Sequence, residues 1–242
     1  MTTIRVVPAV LYRSARLVPW WHLVLGLVAA VALAATRRTD YVDDVVFGLR
    51  VGAVALAVSL AFVLDDPALS VTDGKPVPLW LPRLARLALV LPVPAAGWWL
   101  LMDWMEAEMQ STPETAATTV PRVALTIELA AFVGIVLGFA ALVVRSGREA
   151  GGLVAAVALL GAVVALLMLP ERWRVFASPA SPPLPGEAPS PIWEVWVDAH
   201  RRWAAIAAAG WVALAVGVRG PARGRLARWA AATSGRIRRA AP

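Results

Sequence analysis

Residues 123–144 read VALTIELAAFVGIVLGFAALVV, an almost unbroken apolar run in which Glu128 is the one ionisable residue. A helix that crosses the hydrocarbon core of a bilayer needs about 20 such residues, because each residue advances the helix by about 1.5 Å. Five further runs share this character: 17–35, 45–64, 87–104, 152–169 and 203–218. The sequence therefore predicts an all-α membrane protein with six transmembrane helices in residues 17–218.

The composition excludes several classes of chemistry. Of the 242 residues, 60% are apolar and 16% are charged, whereas apolar residues make up about 45–50% of soluble domains. The chain has no cysteine and two histidines, so we expect no disulfide, iron–sulfur cluster, metal site or bound cofactor. Its one lysine, Lys75, lies in Gly74-Lys75-Pro76 and not in a phosphate-binding loop. The chain is not expected to hydrolyse ATP or to be an enzyme.

The placement of basic residues predicts the orientation. With the N-terminus inside, fifteen of the 23 Lys and Arg residues fall in cytoplasmic segments, seven fall in external ones, and Arg50 lies within a span. Cytoplasmic loops carry the excess of positive charge in most membrane proteins. We therefore predict a protein of the cytoplasmic membrane with both termini in the cytoplasm.

The two ends of the chain are predicted to contact lipid. Residues 1–16 include an amphipathic stretch from Pro8, in which Arg13 and Arg16 can face lipid phosphates. This stretch is either an interfacial elbow helix or an ordinary positive flank of the first span. The basic tail, 219–242, carries Arg225 and Arg228 toward anionic lipid, and no motif suggests a nucleic-acid partner.

The loop after the second span predicts a docking surface. Asp66 suits the N-cap of a short helix and Pro67 its first turn, in the sequence that runs from Asp65 through Leu69. Such a helix in a cytoplasmic loop can bind a soluble partner. The alternative is a capped turn that keeps two acidic residues out of the lipid.

The longest external segment, 170–202, precedes the last span. Its middle is rich in proline, and residues 192–203 then predict an amphipathic helix on the outer surface of the membrane. Trp193, Trp196, His200 and Trp203 share one face of that helix. We interpret His200 as a packed or interfacial histidine rather than as a ligand or proton relay.

Three ionisable residues lie within the predicted spans and form a candidate polar layer. Arg50 and Glu128 each lie about 8 Å from the outer end of their spans, and Asp103 lies near the outer end of the third span. Opposite charges at one depth predict an Arg50–Glu128 pair, because an unpaired charge in hydrocarbon is unstable. The layer is either an outer vestibule that meets a substrate or a structural pair.

Taken together, these features resemble the permease subunit of an ATP-binding-cassette exporter of the type-2 export class. The features are the elbow, six spans, the short cytoplasmic helix and the long external segment before the sixth span. The sequence Leu64-Asp65-Asp66-Pro67-Ala68, followed by Pro76-Val77-Pro78-Leu79-Trp80, is also similar to actinobacterial membrane proteins encoded beside transporter ATPases.

This resemblance implies a set of partners. Two permease chains, identical or different, would pair, and two separate ATPase subunits carrying ATP and Mg²⁺ would dock near Asp65, Asp66, Pro67 and Leu69. Two alternatives remain open at this point. One is a non-transporting accessory, assembly or sensor subunit, and the other is a membrane-embedded enzyme that uses the polar layer.

Overall fold

The computed structural model of the chain describes residues 12, 14–65, 80–113, 115, 118–146, 151–169, 175–178, 188 and 190–219. Over these ranges the protein is helical and contains no β-strand. The helices are α1 (Trp20–Ala35), α2 (Val42–Leu60), a 3₁₀ helix (Ala61–Leu64), α3 (Trp80–Val90), α4 (Pro92–Gln110), α5 (Arg122–Arg145), α6 (Gly151–Leu167) and α7 (Pro191–Val218).

Four of the helical stretches are long and apolar enough to cross a membrane. They are α2 with the 3₁₀ helix, α3 with α4, α5, and α7. Helices α1 and α6 are apolar but shorter, with 16 and 17 residues. At 1.5 Å per residue they measure about 24 to 26 Å, slightly less than a typical hydrocarbon core of about 30 Å. The all-helical membrane class predicted from the sequence agrees with this architecture.

Helices α5 and α7 form the most extensive packing in the bundle and run parallel to each other. Gly134 and Gly138 on α5 face Gly210 on α7. Nearer the C-terminal ends of the same two helices, Gly217 on α7 packs against Ala141 on α5. A Cβ atom placed on Gly210 would lie 2.4 Å from the carbonyl carbon of Gly134. Small residues four apart let two backbones approach closely, which increases dispersion contact where no hydrophobic effect drives association.

Helices α1 and α2 pack antiparallel over the whole length of α1. Gly26 lies against Ser59, while Ala30 lies against Gly52 further along. At the far end of α1, Thr39 forms a contact of 3.4 Å with Thr112 in the loop between α4 and α5. We call this the upper end of the bundle, and we call the end that contains Asp65 and the start of α6 the lower end.

The third predicted span is longer than the sequence indicated and is broken near its middle. Helix α3 ends at Val90 and α4 begins at Pro92, so that the two form one stretch from Trp80 to Gln110 interrupted at Leu91. Pro92 has no N–H to donate, and its ring opposes a continuous helix. Pro92 and Pro94 both lie near the centre of the apolar run 87–104, a position that favours such a kink. Arg83 and Arg86 are buried on α3.

The predicted external helix over 192–203 leads directly into the last span, as the sequence predicted. Helix α7 is continuous from Pro191 to Val218, with the Ser190 hydroxyl accepting a hydrogen bond from the Trp193 N–H at 3.2 Å. No glycine or proline lies between the two halves, so nothing ends the helix at Trp203.

The aromatic face of this continuous helix packs into the bundle rather than along the membrane surface. Trp196 and Trp203 are buried, and the Trp203 indole donates to the Val175 carbonyl at 2.8 Å. Trp98 is also buried, and it donates to the Thr126 hydroxyl at 3.3 Å. The indole N–H groups of Trp98 and Trp203 therefore have acceptors inside the bundle.

Candidate functional site: a buried Arg-Glu-His cluster

Arg50 on α2 and Glu128 on α5 form a two-point ion pair in the upper half of the bundle. Arg50 Nε donates to Glu128 Oε2 and Nη2 donates to Oε1, both at 2.8 Å. The Glu128 side chain is 1% exposed and that of Arg50 is 11% exposed. The structure thus brings together the two residues that the sequence paired by depth. The planar guanidinium matches the two carboxylate oxygens, which favours a buried pair of this kind.

His200 on α7 completes the arrangement. Its Nε2 lies 3.1 Å from Glu128 Oε1, and its Nδ1 lies 2.8 Å from the Trp196 carbonyl oxygen one turn earlier. The imidazole ring also packs against the Trp196 indole, with ring centroids 4.1 Å apart. We call Arg50, Glu128 and His200 the polar cluster. It joins three helices that are far apart in the sequence.

Sequence reasoning missed the part that His200 plays. His200 is the tenth residue of α7 and Glu128 is the seventh of α5, so the two lie at similar depth if these helices are parallel. The small residues Gly134, Gly138 and Gly210 were the available signal for that pairing. The amphipathic pattern of residues 192–203 instead predicted a surface helix, which would separate His200 from Glu128.

Aromatic rings enclose the charged end of Arg50. Its Cζ atom lies 5.5 Å from the centroid of the Phe176 ring and 5.9 Å from that of Trp196, within the range of cation–π attraction. Phe176 in turn packs edge-on against Trp203 at 5.2 Å. Residues 175–178 of the predicted external segment therefore pack onto the polar cluster rather than extending away from it.

A cavity of about 100 Å³ borders Arg50 between α2 and α6. Arg50 is its only charged lining residue, and Phe176 and Leu167 are among the apolar ones. The cavity is the place from which solvent or a small ligand could reach the ion pair.

Asp103 does not belong to the polar cluster. The predicted layer of Arg50, Asp103 and Glu128 is therefore wrong for Asp103. Arg122 donates to Asp103 at 2.5 Å and to Glu106 at 2.8 Å, and Asp103 is 57% exposed. Helix α4 extends past the predicted span end at Trp104 to Gln110. Asp103 and Glu106, three residues apart, thereby share a helix face opposite Arg122.

Asp65 is engaged within the protein at the lower end. Its Oδ1 accepts a hydrogen bond of 2.8 Å from the Gly152 N–H in the first turn of α6, and Arg86 Nη1 donates to its backbone carbonyl at 3.2 Å. Burial raises the pKa of Asp65, and the Gly152 N–H and His22 partly offset this effect. The carboxylate thus caps the first turn of α6. Asp66, Pro67 and Leu69 lie outside the described residues.

Of the four arginines predicted to contact lipid, Arg16 alone lies among the described residues. It is exposed in a short helical segment, 14–17, and its Cζ lies 4.8 Å from the Tyr12 ring. Pro19 separates this segment from α1, and Trp20 and Trp21 follow it as exposed side chains. The exposure of Arg16 is compatible with contact to lipid phosphates. Arg13, Arg225 and Arg228 lie outside the described residues.

The described part of the chain contains no group of three or more His, Asp or Glu side chains that could hold a metal ion. The polar cluster is therefore the main concentration of chemistry within the bundle: an ion pair, a titratable imidazole and a small cavity. Comparison with known protein families, curated proteins and solved structures finds no match to this chain.

Proposed function

We propose that the chain is a transmembrane permease subunit of an ATP-binding-cassette transporter of the type-2 export class, moving a substrate across the cytoplasmic membrane. The polar cluster is the observation that carries this proposal. Ionisable side chains deep in apolar helices are rare, and in membrane proteins they generally mark substrate or ion pathways. Here one such pair is joined by a histidine and borders a cavity.

The helix packing supports six membrane crossings. Helices α5 and α7 are parallel, so the chain must return from the lower end to the upper end between them, and α6 is the helix available for that return. Helix α1 lies beside α2 from Gly26 to Ala34, so it covers most of the same depth. A slightly short apolar helix can still span by local thinning of the bilayer.

With six crossings, both ends of the chain fall on the same side. Helix α1 starts and α7 ends at the lower end, which the distribution of Lys and Arg assigns to the cytoplasm. The segment after Asp65 also begins at the lower end, where a cytoplasmic ATPase would dock. Energy would come from such separate ATPase subunits, and a second permease chain, identical or different, would complete the pathway.

Copurification tests this proposal. The tagged protein, extracted from its native membrane, should bring down an ATP-binding-cassette ATPase subunit. Leu69→Arg in the proposed docking segment should reduce the recovery of that subunit several-fold, and Asp66→Ala should reduce it less. Ser111→Arg is the matched control, because Ser111 is exposed at the upper end and should leave the recovery unchanged.

One observation favours a second candidate, a non-transporting accessory, assembly or sensor subunit. The charged groups of the polar cluster are saturated by one another rather than directed into an open passage. An accessory subunit would copurify with a different membrane complex and no ATPase. That result would contradict the permease proposal and support this alternative.

A further inference from the structure

The two hydrogen-bond contacts of the His200 ring limit where its protons can lie. A backbone carbonyl can accept a hydrogen bond but cannot donate one, so the Nδ1 atom that lies 2.8 Å from the Trp196 oxygen carries a hydrogen. The other ring nitrogen, Nε2, lies 3.1 Å from Glu128 Oε1. A neutral imidazole has only one N–H, so its Nε2 would then present a lone pair to the carboxylate.

Two arrangements turn this contact into a hydrogen bond. In the first, His200 is an imidazolium and donates from Nε2 to the Glu128 carboxylate. In the second, Glu128 is a carboxylic acid and donates from Oε1 to a neutral His200. Both hold the same number of protons, and they differ only in which of the two atoms carries the shared one. Arg50 donates to Glu128 in either case.

We propose that Glu128 and His200 form a buried proton-binding site, with Arg50 as its fixed positive neighbour. With the proton bound, each of the three side chains has hydrogen-bond partners. Without it, the lone pairs of His200 Nε2 and Glu128 Oε1 face each other across 3.1 Å. The alternative is that the ring hydrogen lies on Nε2 instead of Nδ1, and the hydrogen bond to the Trp196 carbonyl is then lost. An unsatisfied polar contact of this kind is costly in a buried environment.

The other charged groups near this site are already engaged with neighbours. Helix α7 carries Asp198 and Arg201, which pair with each other at 3.0 Å and are exposed, and Arg202, which also has an interaction. On α4 and the start of α5, Asp103 and Glu106 bind Arg122. Helix α2 contributes Arg50, and residues 175–178 contribute no charged side chain.

Proton binding at this site would tie α7 to α5 and α2 at the upper end of the bundle. The three helices also meet through the Phe176, Trp196 and Trp203 rings, so the cluster is part of a packed junction. Loss of the proton removes the hydrogen bond across the α5–α7 seam. The inference rests on the polar cluster alone and applies to a permease and to an accessory subunit alike.

The pH dependence of thermal unfolding in detergent tests the proposal between pH 5 and pH 8, with every protein carrying Asp65→Asn so that Asp65 cannot contribute to it. The Asp65→Asn protein with His200 intact should lose stability as the pH rises and the proton leaves, with a fall in apparent Tm on the order of 4 °C. His200→Gln keeps a neutral amide donor for Glu128 but cannot take up a proton in this range, so it should lose this pH-dependent step. His22→Gln, at the lower end, is the matched control and should keep it.

A second measurement reads the position of the proton directly. Protein with ¹⁵N-labelled histidine, in nanodiscs at pH 5, should show His200 with both ring nitrogens protonated. Otherwise the infrared spectrum should show a protonated carboxyl band that is absent from Glu128→Gln. The His22→Gln variant assigns the histidine signal, because the chain has two histidines. A neutral His200 with no such band, or a pH-dependent step that persists in His200→Gln, would overturn the proposal.

Discussion

At the scale of single residues, the Arg50–Glu128 pair should be strongly coupled in its effect on stability. Breaking a buried ion pair leaves one charge unpaired and costs about 3–5 kcal/mol. We expect Arg50→Leu and Glu128→Gln each to lower the stability of the detergent-solubilised protein by roughly this amount. The double variant should cost less than the sum, because neither charge then remains. Thermal unfolding of the four proteins measures the coupling.

The ion pair of Asp103 with Arg122 provides the matched control for this cycle. The Asp103 side chain is 57% exposed, whereas that of Glu128 is 1% exposed. Water and salt screen an exposed pair, whose contribution is usually below about 1 kcal/mol. Asp103→Asn should therefore change the stability little. Strict additivity of the Arg50 and Glu128 variants would contradict the coupling inferred from the 2.8 Å contacts.

The sequence predicted this pair but not its third member, for a physical reason. Depth can be counted from the end of an apolar run, and that count placed Arg50 and Glu128 at the same level. The depth of His200 could not be counted in the same way, because α7 begins with a polar amphipathic turn that resembles a surface helix. Only the packing of α5 against α7 shows which residues share a level.

At the scale of helices, the seam between α5 and α7 predicts a strong dependence on Gly210. A Cβ at this position would lie 2.4 Å from the Gly134 backbone, and backbone atoms cannot move aside without separating the helices. Forced overpacking usually costs about 1–3 kcal/mol. Gly210→Ala should therefore lower the apparent Tm by roughly 2–10 °C, as measured by thermal unfolding in detergent.

Gly161 on α6 is the matched control for Gly210. A Cβ there would have no heavy atom within 4 Å, and alanine favours helix formation by about 1 kcal/mol over glycine in water. Gly161→Ala should therefore be neutral or slightly stabilising. If Gly210→Ala behaved in the same way as Gly161→Ala, the close approach of α5 and α7 would be contradicted.

The hydrogen bond between Asp65 and Gly152 predicts a difference between two substitutions. Asp65→Ala removes the acceptor for the first turn of α6 and should cost about 1 kcal/mol. Asp65→Asn keeps an acceptor oxygen and should be as stable as the wild type, or more so, at pH 7. Unfolding at several pH values in detergent measures both effects.

The sign follows from the raised pKa of Asp65, because a carboxyl with a raised pKa is less stable in the folded protein when it is ionised. Its contribution to stability is present below the ordinary carboxyl pKa and falls as the pH rises through the raised value. Asparagine does not ionise, so this loss should be absent in Asp65→Asn. A large loss of stability in Asp65→Asn at pH 7 would contradict this interpretation.

At the level of helices, the sequence predicted which helices exist better than it predicted where they begin and end. The six apolar runs correspond to helices, and the third stretch is interrupted beside Pro92, which has no N–H to donate. Two differences lie at polar ends. Helix α4 continues past the predicted span end to Gln110, where Asp103 and Glu106 bind Arg122. The predicted helix over 192–203 packs inside the bundle, where His200 contacts Glu128, rather than on the membrane surface. The length of an apolar run gives no information about polar contacts that become buried when the helices pack.

At the scale of the whole molecule, the loops gather alternately at two ends. Thr39 between α1 and α2 contacts Thr112 between α4 and α5 at the upper end, and Asp65 meets Gly152 at the lower end. These contacts show which loops lie at the same end of the bundle, whereas the sequence assigned loops to one side or the other only from their charge. Which end faces the cytoplasm is set by the distribution of Lys and Arg, and not by the packing.

Cysteine accessibility tests the six-span arrangement most directly, because the native chain contains no cysteine. Ser111, Ser146 and Ser178 are exposed and lie on successive loops between α4 and α7. In intact cells, an impermeant thiol reagent should label Ser111→Cys and Ser178→Cys but not Ser146→Cys, and permeabilised cells should label all three. Labelling of Ser146→Cys from outside would contradict the orientation, and protection of Ser178→Cys in intact cells would contradict the membrane crossing by α6.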